Sequence, residues 1–141
     1  MTVELSTPAD MPRGKGNCGI VAVAIFTGST HQQVWDTIKK QHRKPGNWGG
    51  GTRHYERLTA LRALNKGRSV AFAIPGKPTL QAWARENCRE GVTYMVRTTG
   101  HIQCVKRVDG VLWYCDQRGT YKLENCRGKL KRATWACAKL R

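Results

Sequence analysis

Seven consecutive apolar residues, Ile20-Val21-Ala22-Val23-Ala24-Ile25-Phe26, constrain this 141-residue chain more than any other stretch. The run is too short to cross a bilayer, which takes roughly 20 residues. It is entered through Gly16-Asn17-Cys18-Gly19 and stopped at Thr27-Gly28, which predicts a helix over about Cys18 to Phe26. A helix that is apolar nearly all round presents no face to water, so the rest of the chain must enclose it.

A cysteine at the entry of such a helix is placed for nucleophilic chemistry. Backbone N–H groups and the positive helix end stabilise a thiolate and lower its pKa. The same N–H groups can hold a developing oxyanion. A nucleophile of this kind needs a base, and Gly100-His101 opens a strand-like segment far downstream. The plainer reading, a cysteine that only packs at a helix start, stands beside this one.

Three more helices are expected. Thr30 with Gln33 three residues later is a capping box, and Val34, Trp35 and Ile38 follow at helical spacing to about Gln41. Residues 43–53 form a loop with four glycines. It lacks the Gly-Lys-Ser/Thr ending of a phosphate-binding P-loop, which leaves a connector near the site. A helix from Tyr55 to about Asn65 carries Leu58, Leu61 and Leu64, and a short one runs from Thr79 to Asn87 behind Pro78. Ser69–Ile74 reads as a strand. Val92–Arg97, His101–Val108, Val111–Asp116, Tyr121–Glu124 and Leu130–Trp135 read as an antiparallel sheet. The fold class is therefore α+β, with N-terminal helices packed on a C-terminal antiparallel sheet. Residues 1–141 form one domain, and residues 1–15, with Pro8, Pro12 and Gly14, form an extended arm.

Asp109-Gly110 is a strong two-residue hairpin signal, and it fixes a register. With these two as turn residues, Val108 opposes Val111, Cys104 opposes Cys115, and Gln103 opposes Asp116. Opposed residues share a face, as do residues two apart, so His101 and Asp116 become diagonal neighbours about 7 Å apart. A carboxylate there can orient the imidazole and stabilise its cation. The other face carries Ile102, Cys104, Trp113 and Cys115 and reads as core. His31, His42 and His54 lie in polar helix or loop contexts and are weaker candidates for the base.

Six cysteines are many for a chain that begins without a basic-then-apolar leader. A cytosolic chain with reduced thiols is expected. None forms a C-x-x-C pair, so neither a zinc knuckle nor any other metal site is expected. The last four, Cys104, Cys115, Cys126 and Cys137, fall 11 residues apart, which reads as one per strand of a meander. The 25 Lys and Arg against 9 Asp and Glu give a formal charge of +16. Such an excess favours nucleic acid, another polyanion or an acidic protein as partner. Trp48, Tyr55 and Trp135 are the candidates to stack on bases.

Asn17-Cys18-Gly19 opening an apolar helix, Gly100-His101 opening a strand and Asp116 ending the next one resemble the papain-like cysteine peptidase fold. The likeness is to small bacterial and phage-encoded forms related to the bacteriocin-processing peptidases. The Thr27-Gly28 stop and the Gly49-Gly50-Gly51-Thr52 stretch are similar to a group of phage proteins. The resemblance spans residues 14–120. It implies Cys18 as nucleophile, His101 as general base and then acid, and Asp116 as orienting residue, with no cofactor. Members usually carry a glutamine shortly before the cysteine, whose amide completes the oxyanion hole. Residues 11–16 here are Met-Pro-Arg-Gly-Lys-Gly, which leaves Asn17 and the Cys18 N–H as the oxyanion candidates. The expectation is a hydrolase of peptide or isopeptide bonds, acting on a protein or peptide away from membranes, in a host cytoplasm or virion if phage-encoded. The alternatives are an inactive basic nucleic-acid-binding protein on the same fold and a peptidoglycan amidase.

Overall fold

The computed structural model describes residues 3–12, 17–42, 46 and 48–140. Gly14, Gly16 and part of the 43–53 loop lie outside these. The apolar run forms helix α1 (Cys18–Thr27), followed by α2 (His31–Lys39) and α3 (His54–Leu64). Strand β1 (Arg68–Ala73) and helix α4 (Leu80–Asn87) come next. Strands β2 (Thr93–Thr98), β3 (His101–Val108), β4 (Val111–Asp116), β5 (Gly119–Lys122) and β6 (Ala133–Leu140) complete the chain, with two short 3-10 turns between β5 and β6.

The six strands form one antiparallel sheet in the order β1-β6-β2-β3-β4-β5. Strands β2 to β5 are a meander. The last strand crosses back to lie between β1 and β2. Side-chain alternation divides the sheet's residues between two apolar clusters. Met95, Ile102, Cys104, Cys115 and Cys137 pack with α1, α2 and α3. Tyr94, Val96, Val105, Tyr114 and Ala136 pack with α4 and Leu123. The helices thus cover both faces rather than one. Both hairpin faces are buried, not only the face expected to be core.

Helix α1 is enclosed as its composition demands: Ile20, Val21, Val23 and Phe26 are wholly buried. Gly28 ends it in the left-handed region at φ 74°, where its N–H donates to Ala24 O. The capping box at the start of α2 is present, with Thr30 Oγ1 accepting from Gln33 N–H and Gln33 Oε1 from Thr30 N–H. Asp10 adds a second cap by accepting from the N–H groups of His31 and Gln32. The described part of the arm, residues 3–12, is accordingly tied down: Leu5 is buried, and its carbonyl accepts from Thr120 Oγ1.

The Asp109-Gly110 turn has the positive φ at both residues (51° and 77°) that a type I′ hairpin requires. The register follows, with Cys104 opposite Cys115 and Val108 opposite Val111. Three strand readings need adjustment. Strand β5 begins at Gly119 because Gln117-Arg118 makes a second two-residue turn, pairing Asp116 with Gly119. The last strand spans Ala133–Leu140 rather than Leu130–Trp135. Cys126 joins the two 3-10 turns, so the 11-residue spacing does not put a cysteine on every strand. All six cysteines are free thiols, and five are buried.

Candidate active site

Cys18 is the first residue of α1, after the N-cap Asn17. Its backbone N–H is among those with no partner inside the helix. His101 is the first residue of β3. That position at the sheet's end lets a ring from the α4 side meet a thiol from the α1 side, with the Ile102 backbone also against the sulfur. Asp116 ends the neighbouring strand. Its Oδ2 lies 3.1 Å from His101 Nε2 and accepts from Tyr114 O–H at 2.7 Å. Its Oδ1 accepts from Arg118 N–H at 2.8 Å. With Nε2 engaged by Asp116, Nδ1 is the ring nitrogen left for the thiol. The structure therefore brings the three expected residues into one row.

The electrostatics run in the same direction. The hydrogen bond to Asp116, then that to Cys18, raise the His101 pKa to about 9 against the opposing pull of burial. The His101 contact is the largest influence on Cys18 and holds its thiol below the usual range; burial opposes it, and the Ile102 backbone and Arg57 add to it. Burial alone would push Asp116 up, but its bonds to His101, Tyr114 and the Arg118 N–H outweigh that and hold it low. Both shifts favour the ion pair of thiolate and imidazolium over the neutral pair. Burial moves the other five thiols the opposite way, to about 12 for Cys88, about 11 for Cys126, and also upward for Cys104, Cys115 and Cys137.

Cys18 and His101 open onto a cavity of about 250 Å³ lined also by Arg57, Arg97, Thr98, Gly100 and Ile102. Asn17 is not on that wall. Its amide nitrogen occupies the space a Cβ on Gly50 would take, at 2.2 Å, so Gly50 is open ground for Asn17. Gly19 has a similar reason to lack a side chain. A Cβ there would stand 1.9 Å from Thr52 Oγ1 and 3.1 Å from Arg57 Cδ. Gly50 and Thr52 thus pack on the start of α1, and Trp48 Nε1–H donates to Gly51 O.

Sequence reasoning missed Tyr114, Arg57 and Arg97. Tyr114 had a signal, since it lies two residues before Asp116 on the same face of one strand. The arginines had none, because they arrive on α3 and β2 through long-range packing. The weaker histidines have other surroundings: His31 is buried beside Trp35, His42 pairs with the buried Glu56, and His54 stands edge-on to Trp135. Two of the expected base-stacking residues are corrected. Trp135 is buried, and Trp48 is held between Trp35 and His42, so only Tyr55 is well exposed. No set of three or more His, Cys, Asp or Glu is arranged to hold a metal among the described residues. No helix among them is long and apolar enough to cross a membrane. No protein-family model, curated protein or solved structure matches the chain.

Proposed function

We propose that this protein is a cysteine hydrolase of the papain-like class that cleaves a peptide or isopeptide bond. The observation that carries the reading is the row Cys18–His101–Asp116, with a thiol held low and an imidazole held high at the mouth of one cavity. The thiolate attacks the scissile carbonyl, and the carbon becomes tetrahedral. Charge developing on the oxygen is met by the Cys18 N–H and the positive end of α1. The Asn17 amide, expected as a further donor, is turned to Gly50 and away from the cavity wall, so it does not add to this. His101 gives its proton to the leaving amine as the C–N bond breaks, then takes one from the water that attacks the acyl carbon, so the C–S bond breaks to release the acid and restore the thiolate beside the imidazolium. The test is incubation with a protease-generated peptide mixture and with ubiquitin-like isopeptide conjugates, reading newly formed amines by mass spectrometry. Wild-type protein is expected to produce them and Cys18→Ala none. Equal yields from both would overturn the reading.

A second reading concerns the surface. Of the nine acids, Glu56 and Asp116 are buried, while Asp10 and Glu90 are exposed and already hold backbone N–H groups. The outward charge stays strongly one-sided. We propose that a polyanion or acidic protein is recruited by this surface independently of the thiol. Affinity for single- or double-stranded nucleic acid should fall steeply from low to moderate salt, by about an order of magnitude for each few phosphates contacted. Cys18→Ala should leave the curve unchanged. An absence of binding at low salt would exclude nucleic acid and leave an acidic protein.

A further inference from the structure

The cavity beside Cys18 carries two guanidinium groups that the reaction outlined above does not use. Arg57 is 9 % exposed, yet no carboxylate pairs with it among the described residues. Its Nη1–H groups donate to Thr52 O and Oγ1 at 2.9 and 3.0 Å, and its buried Nε has no partner. The neighbouring Glu56 is turned away, accepting from Arg53 N–H and meeting His42. Arg97 donates from Nε to Thr134 Oγ1 and likewise has no acidic partner among the described residues. Burial, and then the positive charge of Arg97, push the Arg57 guanidinium down, and both arginines act on His54, whose imidazole is pushed down by burial, then by Arg97 and Arg57.

Two unpaired cations facing one small cavity repel each other, and burying an unpaired charge costs several kcal/mol. Negative charge on the Cys18 sulfur offsets Arg57 in part. With His101 protonated, however, the thiolate–imidazolium pair carries no net charge, so the two arginines together still exceed the anions at the cavity. Asp116 does not line the cavity. An arrangement of this kind is stable in a working enzyme when its substrate brings the missing anion. Planar guanidinium forks suit a planar carboxylate, which they can grip through paired N–H donors.

We propose that Arg57 and Arg97 form a carboxylate subsite, so that the preferred substrate carries a carboxylate within about one residue of the scissile carbonyl. The anion is either the C-terminal carboxylate of a peptide or an Asp or Glu side chain. This inference rests on the hydrolase reading for its substrate class, but the subsite itself is tested separately.

The probe is a pair of alkylating reagents that differ by one charge. Iodoacetate carries the carboxylate and iodoacetamide does not, and both transfer their carbon to sulfur with loss of iodide. Alkylation at Cys18 is followed by peptide mass spectrometry, and the iodoacetate-to-iodoacetamide rate ratio is compared with that of glutathione. The ratio at Cys18 should exceed glutathione's by about tenfold or more, the effect of nearby cations in a partly desolvated site. Because the His101 cation also attracts an anion, the decisive comparison is with Arg97→Gln and Arg57→Gln. Each should bring the ratio several-fold closer to glutathione's. If Arg57→Gln fails to fold, Arg97→Gln alone decides. A ratio unchanged by the arginine substitutions would overturn the subsite even if Cys18 reacts fast. Slow iodoacetamide labelling of Cys18 with an arginine-dependent ratio would instead overturn the hydrolase reading and keep the subsite. Protection of Cys18 by N-acetylglycine points to a chain terminus, and protection by N-acetylglutamate α-amide to an acidic side chain. Protection by inorganic phosphate and by neither carboxylate would overturn the carboxylate assignment.

Discussion

At about pH 6, limited iodoacetamide should label Cys18 well before any other cysteine, and His101→Ala should slow that labelling by about two orders of magnitude. The first half follows from the contrast among the thiols. Cys18 is the partly exposed cysteine and the one held below the ordinary thiol range, whereas burial raises the other five. The second half follows from the cause, because the His101 contact is the largest influence lowering Cys18. The rate should be high between the lowered thiol pKa and about pH 9, where His101 gives up its proton. Above that the thiolate persists without its cation, so labelling continues while turnover falls. Equal labelling of several cysteines would contradict the arrangement.

Asp116→Ala should reduce turnover by about 10²- to 10⁴-fold and leave the domain folded. Asp116 is the first cause of the raised His101 pKa. Its removal should therefore draw the alkaline limb of the pH–rate profile down from about 9. The sign for stability is the same. A histidine raised in the folded state contributes fully below its unfolded value near 6.5, and that contribution is lost as pH rises through about 9. The variant should lose this pH-dependent part of its stability. Tyr114→Phe is the graded control. Burial first, and Asp116 second, push the Tyr114 hydroxyl upward, so it is a permanent donor to the carboxylate. Its loss should cost less than the loss of the carboxylate itself. An Asp116→Ala variant with wild-type turnover and an unmoved alkaline limb would refute the role.

The parts of this structure that were legible in the sequence are those written in local chemistry. Asp109-Gly110 dictates a type I′ turn, the turn dictates the register, and the register puts His101 beside Asp116. Thr30 and Gln33 write the start of α2, and Gly28 writes the end of α1. The less legible parts depend on partners far along the chain. Ala133–Leu140 is mostly small residues, and its strand is defined by pairing with β1 and β2 on either side. Arg57 lies in a helix whose leucines advertise a core face, yet its own side chain turns back to Thr52 and the cavity. Nothing in its neighbours' periodicity distinguishes it from a solvated arginine. Cys126 shows the opposite failure, a regular spacing with no structural cause.

The register of β3 and β4 also sets the order in which this chemistry is assembled. His101 and Asp116 are 15 residues apart on one hairpin, so their contact is local to the turn. Cys18 belongs to a helix more than 80 residues upstream and joins them only when α1 seats itself on the sheet. Its competence is therefore a property of tertiary docking. Truncation of Phe26, wholly buried at the far end of α1, would loosen that docking while the hairpin's pair persists. A packing residue with no atom in the cavity then governs how often the thiol meets its base, and partial opening of the domain uncouples the pair before either half is lost.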